Sequence, residues 1–119
     1  MVSQRSLNEY DSKLPQHIKR MLEMIMKLHR YVDWVTYEQF CDDEMCRDAC
    51  ITVLTQLWEL SNTIKKYEYQ PYNIALPVKE MTEMRNFLVH SYHRVDIDIL
   101  WKTIQQSIPS LEKKLQNIW

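Results

Sequence analysis

The chain has 119 residues, of which 45% are hydrophobic and 26% are charged, and its formal net charge is −1. This composition predicts one globular domain over residues 1–119 and gives no overall attraction to nucleic acid or membrane. The absence of glycine excludes Gly-rich phosphate loops and disfavours tight hairpins. Because no apolar run is long enough for a membrane span or a signal peptide, we expect a cytoplasmic protein of long helices.

The charged residues are unevenly distributed. Residues 1–32 carry six Lys/Arg and three Asp/Glu, residues 33–63 carry one and seven, and residues 64–119 carry eight and six. The basic first segment could face RNA phosphates, although solvation of an outer helix face is the interpretation that such runs favour.

Residues 14–32 have the apolar periodicity of a first helix, with hydrophobic side chains every three or four positions. Asp11 or Ser12 would begin this helix, since both residue types cap helix N-termini. Pro15 then falls in the first turn, where proline is tolerated. Trp34 would close the buried stripe at the other end.

A short second element and a long helix follow. Thr36 and Gln39 have the spacing of a capping box, which predicts that the second element starts at Thr36. The acidic run 42–44 marks the start of the next helix, where backbone amides favour negative charge. Its apolar line continues for about five turns and ends at Lys65–Lys66.

Three cysteines, Cys41, Cys46 and Cys50, are more typical of buried thiols than of a disulfide framework. Cys46 and Cys50 would share a helix face, but the sequence offers no second cysteine pair and no HxxxH motif to complete a metal site. We therefore expect no metal and no cofactor.

The remaining pattern predicts two more helices. Residues 67–76 form a loop, a third long helix starts at Pro77, and Asp96 or Asp98 caps a fourth that Pro109 kinks or splits. The predicted fold is all-α, a four- or five-helix antiparallel bundle. The seven methionines and four tryptophans are more typical of its core or of a dimer interface than of a binding surface.

One polar cluster interrupts the apolar periodicity, in the run from Met84 to Asp96. Arg85 and Asn86 occur within a helix whose flanks are apolar. On an ideal helix Asn86, His90 and His93 share a face. Arg85 and His90 are about 140° apart. Arg85 and His90 can hold one ligand together only if Arg85 reaches round, the helix breaks, or a second subunit completes the site.

These residue types suit metal-free cleavage of RNA. An imidazole such as that of His90 titrates near neutral pH and can transfer a proton, and Asn86 could orient the ring. Arg85 supplies a forked cation for phosphate. The alternative is that Arg85 pairs with Glu59 or Glu83 and that His90 is an ordinary surface residue. The bare Arg-x4-His spacing is weak evidence by itself.

The wider run is more specific. Residues 85–92, Arg-Asn-Phe-Leu-Val-His-Ser-Tyr, followed by Val95–Asp96 and Leu100–Trp101, resemble the HEPN superfamily motif. The run is most similar to the HepT branch, the toxin of the HepT/MntA toxin–antitoxin pair, whose Arg-x4-His-x-Tyr pattern is complete here. Where that family often has Gly-Glu in the second helix, this sequence has Trp58–Glu59, which keeps the acid and replaces the glycine with a bulky ring.

The resemblance implies an all-α HEPN homodimer that pools two copies of Arg85 and His90 across a cleft. The activity implied is that of a metal-independent endoribonuclease acting on cellular RNA, tRNA included, with Asn86 and Glu59 in supporting roles. The implied partner is a minimal MntA-like nucleotidyltransferase antitoxin that transfers AMP from ATP onto Tyr92. A nucleotide on Tyr92 would add bulk and negative charge beside the site and block RNA phosphate.

Two other functions stay open. The chain could be a non-catalytic nucleotide- or substrate-binding partner of a nucleotidyltransferase, in which Arg85 grips a phosphate without chemistry. It could also be a purely structural helical dimer, with His90 and Tyr92 making hydrogen bonds at the interface. The structural interpretation ranks last, because a buried, unpaired arginine and asparagine would be costly.

Overall fold

The computed structural model describes residues 4–64, 86 and 96–117, with side chains from residue 15 to 63, at 86 and from 96 to 117. The elements in these residues are α1 (Gln4–Val32), α2 (Tyr37–Asp42), α3 (Glu44–Ile64), α4 (Ile97–Lys102), a π-helical turn (Thr103–Ser107) and α5 (Ile108–Gln116). The predicted all-α class is confirmed, since the described residues contain helices and no strand. The predicted loop over residues 67–76 and the helix starting at Pro77 lie outside the described residues.

Helix α1 is longer than the apolar periodicity predicts. It begins at Gln4 and runs through Asp11 and Ser12, so the prediction that either residue caps its start is wrong. The periodicity could not find the earlier turns, because residues 4–13 are mostly polar. Pro15 lies inside the helix and not in its first turn, so the predicted position of Pro15 is wrong as well. A proline inside a helix removes one backbone donor, and its ring crowds the carbonyl four residues earlier.

Trp34 does not close the buried stripe of α1, and that prediction is also wrong. The last buried residue of the stripe is Val32, where the helix ends. The backbone N–H of Val35 then donates to the Val32 carbonyl at 2.9 Å, in a turn that takes the chain off the helical path. The Trp34 side chain is 94% exposed as a result.

Short polar contacts define the start of α2 and of α3. The Thr36 hydroxyl accepts from the Gln39 backbone N–H at 3.2 Å, and the Gln39 side chain accepts from the Thr36 N–H at 2.9 Å. The predicted capping box is therefore confirmed. The Asp43 carboxylate accepts from the Cys46 N–H at 2.9 Å and caps α3, as the acidic run predicts.

The core forms where α1, α3 and the C-terminal helices meet. The Cys46 thiol donates to the Tyr31 carbonyl across 3.6 Å, which places the start of α3 beside the end of α1. The two helices thus run antiparallel, and burial of their facing apolar surfaces stabilises the pair. The buried core residues are Ile18, Met21, Ile25, Leu28, Val32, Phe40, Cys50, Val53, Leu54, Leu57, Leu100, Ile104, Ile108, Leu111 and Leu115.

The methionines and tryptophans divide between core and surface. Met21 is fully buried, whereas Met45 is 84% exposed and Trp34 is 94% exposed. Trp101 is half-buried and packs on Phe40, with ring centroids 4.8 Å apart. Met45 and Trp34 therefore contribute nothing to the core of the chain, and their place in a dimer interface stays a prediction.

A π-helical turn joins the last two helices. Asp96 caps α4 by accepting from the backbone N–H groups of residues 98 and 99 at 2.9 and 3.2 Å. The N–H of Ile108 donates to the carbonyl of Thr103, five residues back. This π-helical widening comes directly before Pro109, whose ring would otherwise clash with the carbonyl four residues earlier. The predicted fourth helix is thus divided by this turn into α4 and α5, beside Pro109.

The cysteines are free thiols. Cys50 is buried, and Cys41 and Cys46 are half-buried. Desolvation by burial, with a smaller contribution from the neighbouring Cys46, raises the pKa of Cys50 to about 12. The prediction of a buried thiol is thus confirmed for Cys50. None of the helices in the described part of the chain combines the length and the hydropathy needed to cross a membrane.

Candidate functional site

The polar motif falls largely outside the described residues. Arg85, His90 and Tyr92 are among the residues that the structure does not describe, and their predicted roles stay predictions. Asn86 is described, and it is helical and exposed. The other supporting residue, Glu59, is exposed on α3.

Glu59 lines a cavity of about 550 Å³ between α1 and α3. The antiparallel packing of the two helices brings residues about 30 to 40 positions apart in sequence to the same opening. The described lining residues are Arg20, Met24 and Lys27 from α1, and Gln56, Glu59, Leu60 and Thr63 from α3. Two cations and one carboxylate therefore surround a partly apolar cavity, which suits an anionic ligand better than a cationic one.

A second, larger groove of about 870 Å³ follows the outward side of α1. Its described lining residues are Gln16, Lys19, Arg20, Glu23, Met24, Met26, Lys27 and Arg30. The two openings share Arg20, Met24 and Lys27, so the groove continues into the cavity that contains Glu59. The basic residues were not predicted individually, although the excess of Lys/Arg in residues 1–32 was the signal for them.

Two other polar contacts join the elements of the fold. The His29 imidazole contacts Glu112 of α5 across 3.2 Å and Asp33 across 3.4 Å, so it helps to fasten α5 onto α1. The Tyr37 hydroxyl donates to the Asp98 carboxylate and links α2 to α4. Hydrogen bonds to Asp98 and then to Cys41 raise the pKa of Tyr37 above its usual value. Both contacts lie at helix–helix junctions, and their residues are not among the described residues that line the cavity.

The described residues include no group of three or more His, Cys, Asp or Glu side chains arranged to hold a metal ion. Cys46 and Cys50 do share one side of α3, but their surroundings favour the protonated thiols. Burial raises the pKa of both groups, most strongly for Cys50. Because a metal binds the thiolate and not the thiol, this pair is poorly suited to metal binding.

The fold and the motif together place the chain among known proteins. The family model described as ribonuclease HepT-like matches residues 21–118. The chain therefore belongs to the HepT-like ribonuclease family, and the activity that this membership gives it is that of a HEPN-type endoribonuclease. The resemblance drawn from residues 85–92 is thus confirmed, together with the HEPN-like helical fold.

Relatives match over most of their length. A Thermococcus cleftensis protein named as a probable ribonuclease HepT is 29% identical over 102 residues, which cover 86% of this chain and 92% of that one. A candidate RNase of Caldanaerobacter subterraneus subsp. tengcongensis is 30% identical over 103 residues, 87% of this chain and 88% of its own. A candidate RNase of Methanocaldococcus jannaschii is 28% identical over 96 residues, 81% of this chain and 87% of its own. No solved structure matches the chain significantly.

Proposed function

We propose that this endoribonuclease is a metal-independent toxin that cleaves cellular RNA, tRNA included, and that Arg85 and His90 are its catalytic residues. The observation that carries the proposal is the family match over residues 21–118, which contains the whole Arg-x4-His-x-Tyr run. The chemistry of the side chains supports it independently, because a fixed cation and a titratable imidazole are the groups that phosphodiester cleavage without a metal requires.

The reaction uses the ribose 2′-hydroxyl as an internal nucleophile. His90 removes the proton of this hydroxyl, the 2′-oxygen forms a bond to phosphorus, and the bond from phosphorus to the 5′-oxygen breaks. The leaving 5′-oxygen takes a proton from a general acid. The products are a 2′,3′-cyclic phosphate and a free 5′-hydroxyl, so no water or cofactor is consumed. Proton transfer by a positioned imidazole contributes about 10²- to 10⁴-fold to such a rate.

Arg85 stabilises the negative charge that develops on the phosphorane oxygens. Its planar guanidinium can donate two parallel hydrogen bonds to a phosphate. Since Arg85 and His90 project about 140° apart on one ideal helix, the proposal includes a homodimer in which one protomer's arginine and its partner's histidine act on the same phosphate.

Asn86 and Glu59 take positioning roles. Asn86 precedes His90 by four residues, a separation that puts both on one side of a helix. Asn86 is exposed on a helix, which supports a role in orienting the imidazole of His90. Glu59 shares its cavity with Arg20 and Lys27. A carboxylate there would orient nearby cationic side chains while leaving the site net positive.

Regulation in this proposal acts on Tyr92. A minimal MntA-like nucleotidyltransferase joins the phenolic oxygen of Tyr92 to the α-phosphorus of ATP, and pyrophosphate leaves. The new phosphodiester carries a negative charge two residues from His90, where it would repel the RNA backbone and fill the site. The toxin would then be inactive until the AMP group is removed.

The catalytic proposal is tested with the purified, unmodified protein and a labelled RNA in excess EDTA. We expect cleavage to persist without metal, and His90→Ala to lower its rate by about 10²- to 10⁴-fold. His93→Ala is the matched control, since it removes an imidazole three residues away and should retain activity. The helical spectrum and the sedimentation coefficient should be unchanged in both variants. If the unmodified protein binds nucleotide or RNA and cleaves nothing, the non-catalytic binding function replaces this proposal.

The regulatory proposal is tested by intact mass after co-expression with the nucleotidyltransferase. We expect a mass gain of one or more adenylyl groups, accompanied by loss of RNA cleavage. Tyr92→Phe keeps the ring and removes the acceptor oxygen, so it should show no mass gain. An unmodified Tyr92 in a protein that the nucleotidyltransferase nevertheless inhibits would rule out this mode of control.

A further inference from the structure

The outward side of α1 has an unusual concentration of cations, which we call the basic face: Lys19, Arg20, Lys27 and Arg30. Residues 16–30 contain these four cations and one acid, Glu23, although the whole chain has a net charge of −1. The rest of the chain is therefore acidic overall. A local positive field on such a chain attracts polyanions to one side of the molecule only.

Helix geometry brings the four cations to one side. At about 100° per residue, the four cations lie within roughly 100° of the helix circumference. The acid Glu23 lies in the same sector and lines the same groove, which leaves this side of α1 net positive. Along the axis, Lys19 and Arg30 are about 16 Å apart at 1.5 Å per residue. The basic face is thus an elongated strip and not a point, which is the shape that a nucleic-acid backbone requires.

Among the described residues, no salt bridge or side-chain hydrogen bond holds the cations of the basic face. Lys19, Arg20 and Arg30 are exposed and Lys27 is half-buried. Arg47 is different, because its guanidinium donates to the carbonyls of Phe40 at 2.9 Å and of Cys41 at 2.6 Å. Its hydrogen-bonding capacity is therefore used within the fold.

Two methionines add apolar surface to the same groove. Met26 is 51% exposed and Met24 is half-buried, and both line the opening beside the cations. Methionine side chains adapt to irregular partners without fixing their shape. A strip of cations with adaptable apolar neighbours is suited to holding a polyanion with little dependence on sequence.

The groove also leads towards the candidate site. Arg20, Met24 and Lys27 line both the groove on α1 and the cavity between α1 and α3. Glu59, which we propose as a positioning residue, lies in that cavity. A chain of phosphates bound along α1 would therefore continue into the same cavity as Glu59.

From this continuity we infer that the basic face of α1 binds the phosphodiester backbone of the RNA substrate and directs it towards the cleavage site. The inference rests on the proposed ribonuclease function. The bound RNA is single-stranded, because attack by a 2′-hydroxyl needs a nucleotide that is free to rotate out of a regular helix. Sequence preference would then come from elsewhere in the site, since phosphate contacts position RNA without reading its bases.

The experiment measures binding of an unstructured 2′-O-methyl RNA of about twenty nucleotides, whose blocked 2′-oxygen prevents cleavage. The test variant is Lys19→Gln with Arg30→Gln, and the matched control is Lys102→Gln with Lys113→Gln, which removes two exposed cations of α4 and α5. Each phosphate contact contributes about 0.7 to the slope of log affinity against log salt for single strands. We expect the slope to fall by about 1.4 in the test variant and to stay unchanged in the control.

The expected change in slope can be converted into a change in affinity. Salt increases fourfold between 50 and 200 mM, and a slope difference of about 1.4 converts this into a factor of about seven. The affinity of the unaltered protein should therefore fall by about sevenfold more than that of the test variant over this range. Both double variants should keep the helical spectrum and the thermal midpoint of the unaltered protein, because the four substituted side chains are exposed.

The outcomes separate this inference from the proposed function. If the protein cleaves natural RNA and the test variant has the slope of the control, the inference is wrong and the ribonuclease proposal stands. If the protein neither binds nor cleaves RNA, both fail. If the test variant keeps its RNA binding and loses its binding to the nucleotidyltransferase, the basic face is a protein interface and the inference is overturned.

Discussion

The basic face of α1 and the segment that follows it, residues 33–63, have opposite net charge, and their charged side chains serve different purposes. Residues 33–63 contain seven acids and one cation, whereas residues 16–30 contain four cations and one acid. In the acidic segment several charges serve the fold: Asp43 caps α3 and Arg47 binds two backbone carbonyls. The cations of the basic face have no such structural task within the described residues.

This difference shows why net charge is a poor guide to partners in a small helical protein. A total of −1 predicts no attraction to nucleic acid, but the total is a sum over regions of opposite sign that a polyanion meets separately. Helix α1 presents four cations and one acid, Glu23, along about 16 Å of its length, so this side is net positive. The acidic segment presents the other sign and would repel the same ligand, so it favours entry of RNA along α1.

We expect the largest effect on the free energy of unfolding from a substitution on the buried side of α1, compared with a substitution on its basic face. Ile25 is fully buried in the core, so Ile25→Ala removes packed atoms and should lower the free energy of unfolding by about 2–5 kcal/mol. Arg30→Gln changes an exposed side chain of the same helix and should change the free energy of unfolding by less than about 0.5 kcal/mol. Chemical denaturation monitored by circular dichroism measures both values. Equal losses would mean that the basic face is part of the core structure and not a free surface.

The sequence predicted best those features that depend on neighbours in the chain. The capping box of Thr36 and Gln39 and the cap by Asp96 each involve residues two or three positions apart, and the local backbone decides them. The end of α1 at Val32 agrees with the predicted end of the first helix. The prediction for Trp34 failed because Trp34 lies beyond that end, where the turn from Val32 to Val35 takes the chain off the helical path.

The family could be recognised from the sequence for the same reason. The Arg-x4-His-x-Tyr run is contiguous, so it could be recognised without any tertiary structure. Arg20 and Lys27 could not be assigned to the cavity of Glu59, because the antiparallel packing of α1 on α3 brings them together and no local pattern records it. The excess of cations in residues 1–32 indicated a surface and left its location open.

We expect the smallest effect from a substitution in the acidic segment, at Trp34. Trp34 is 94% exposed next to Asp33, outside both the groove on α1 and the cavity of Glu59. Trp34→Ala removes little buried surface, so the free energy of unfolding should change by less than about 0.5 kcal/mol. If RNA follows the basic face, the affinity of this variant for single-stranded RNA and its salt slope should equal those of the unaltered protein. A loss of RNA affinity, measured by fluorescence anisotropy at several salt concentrations, would mean that bases stack on this ring and that RNA extends over the acidic segment.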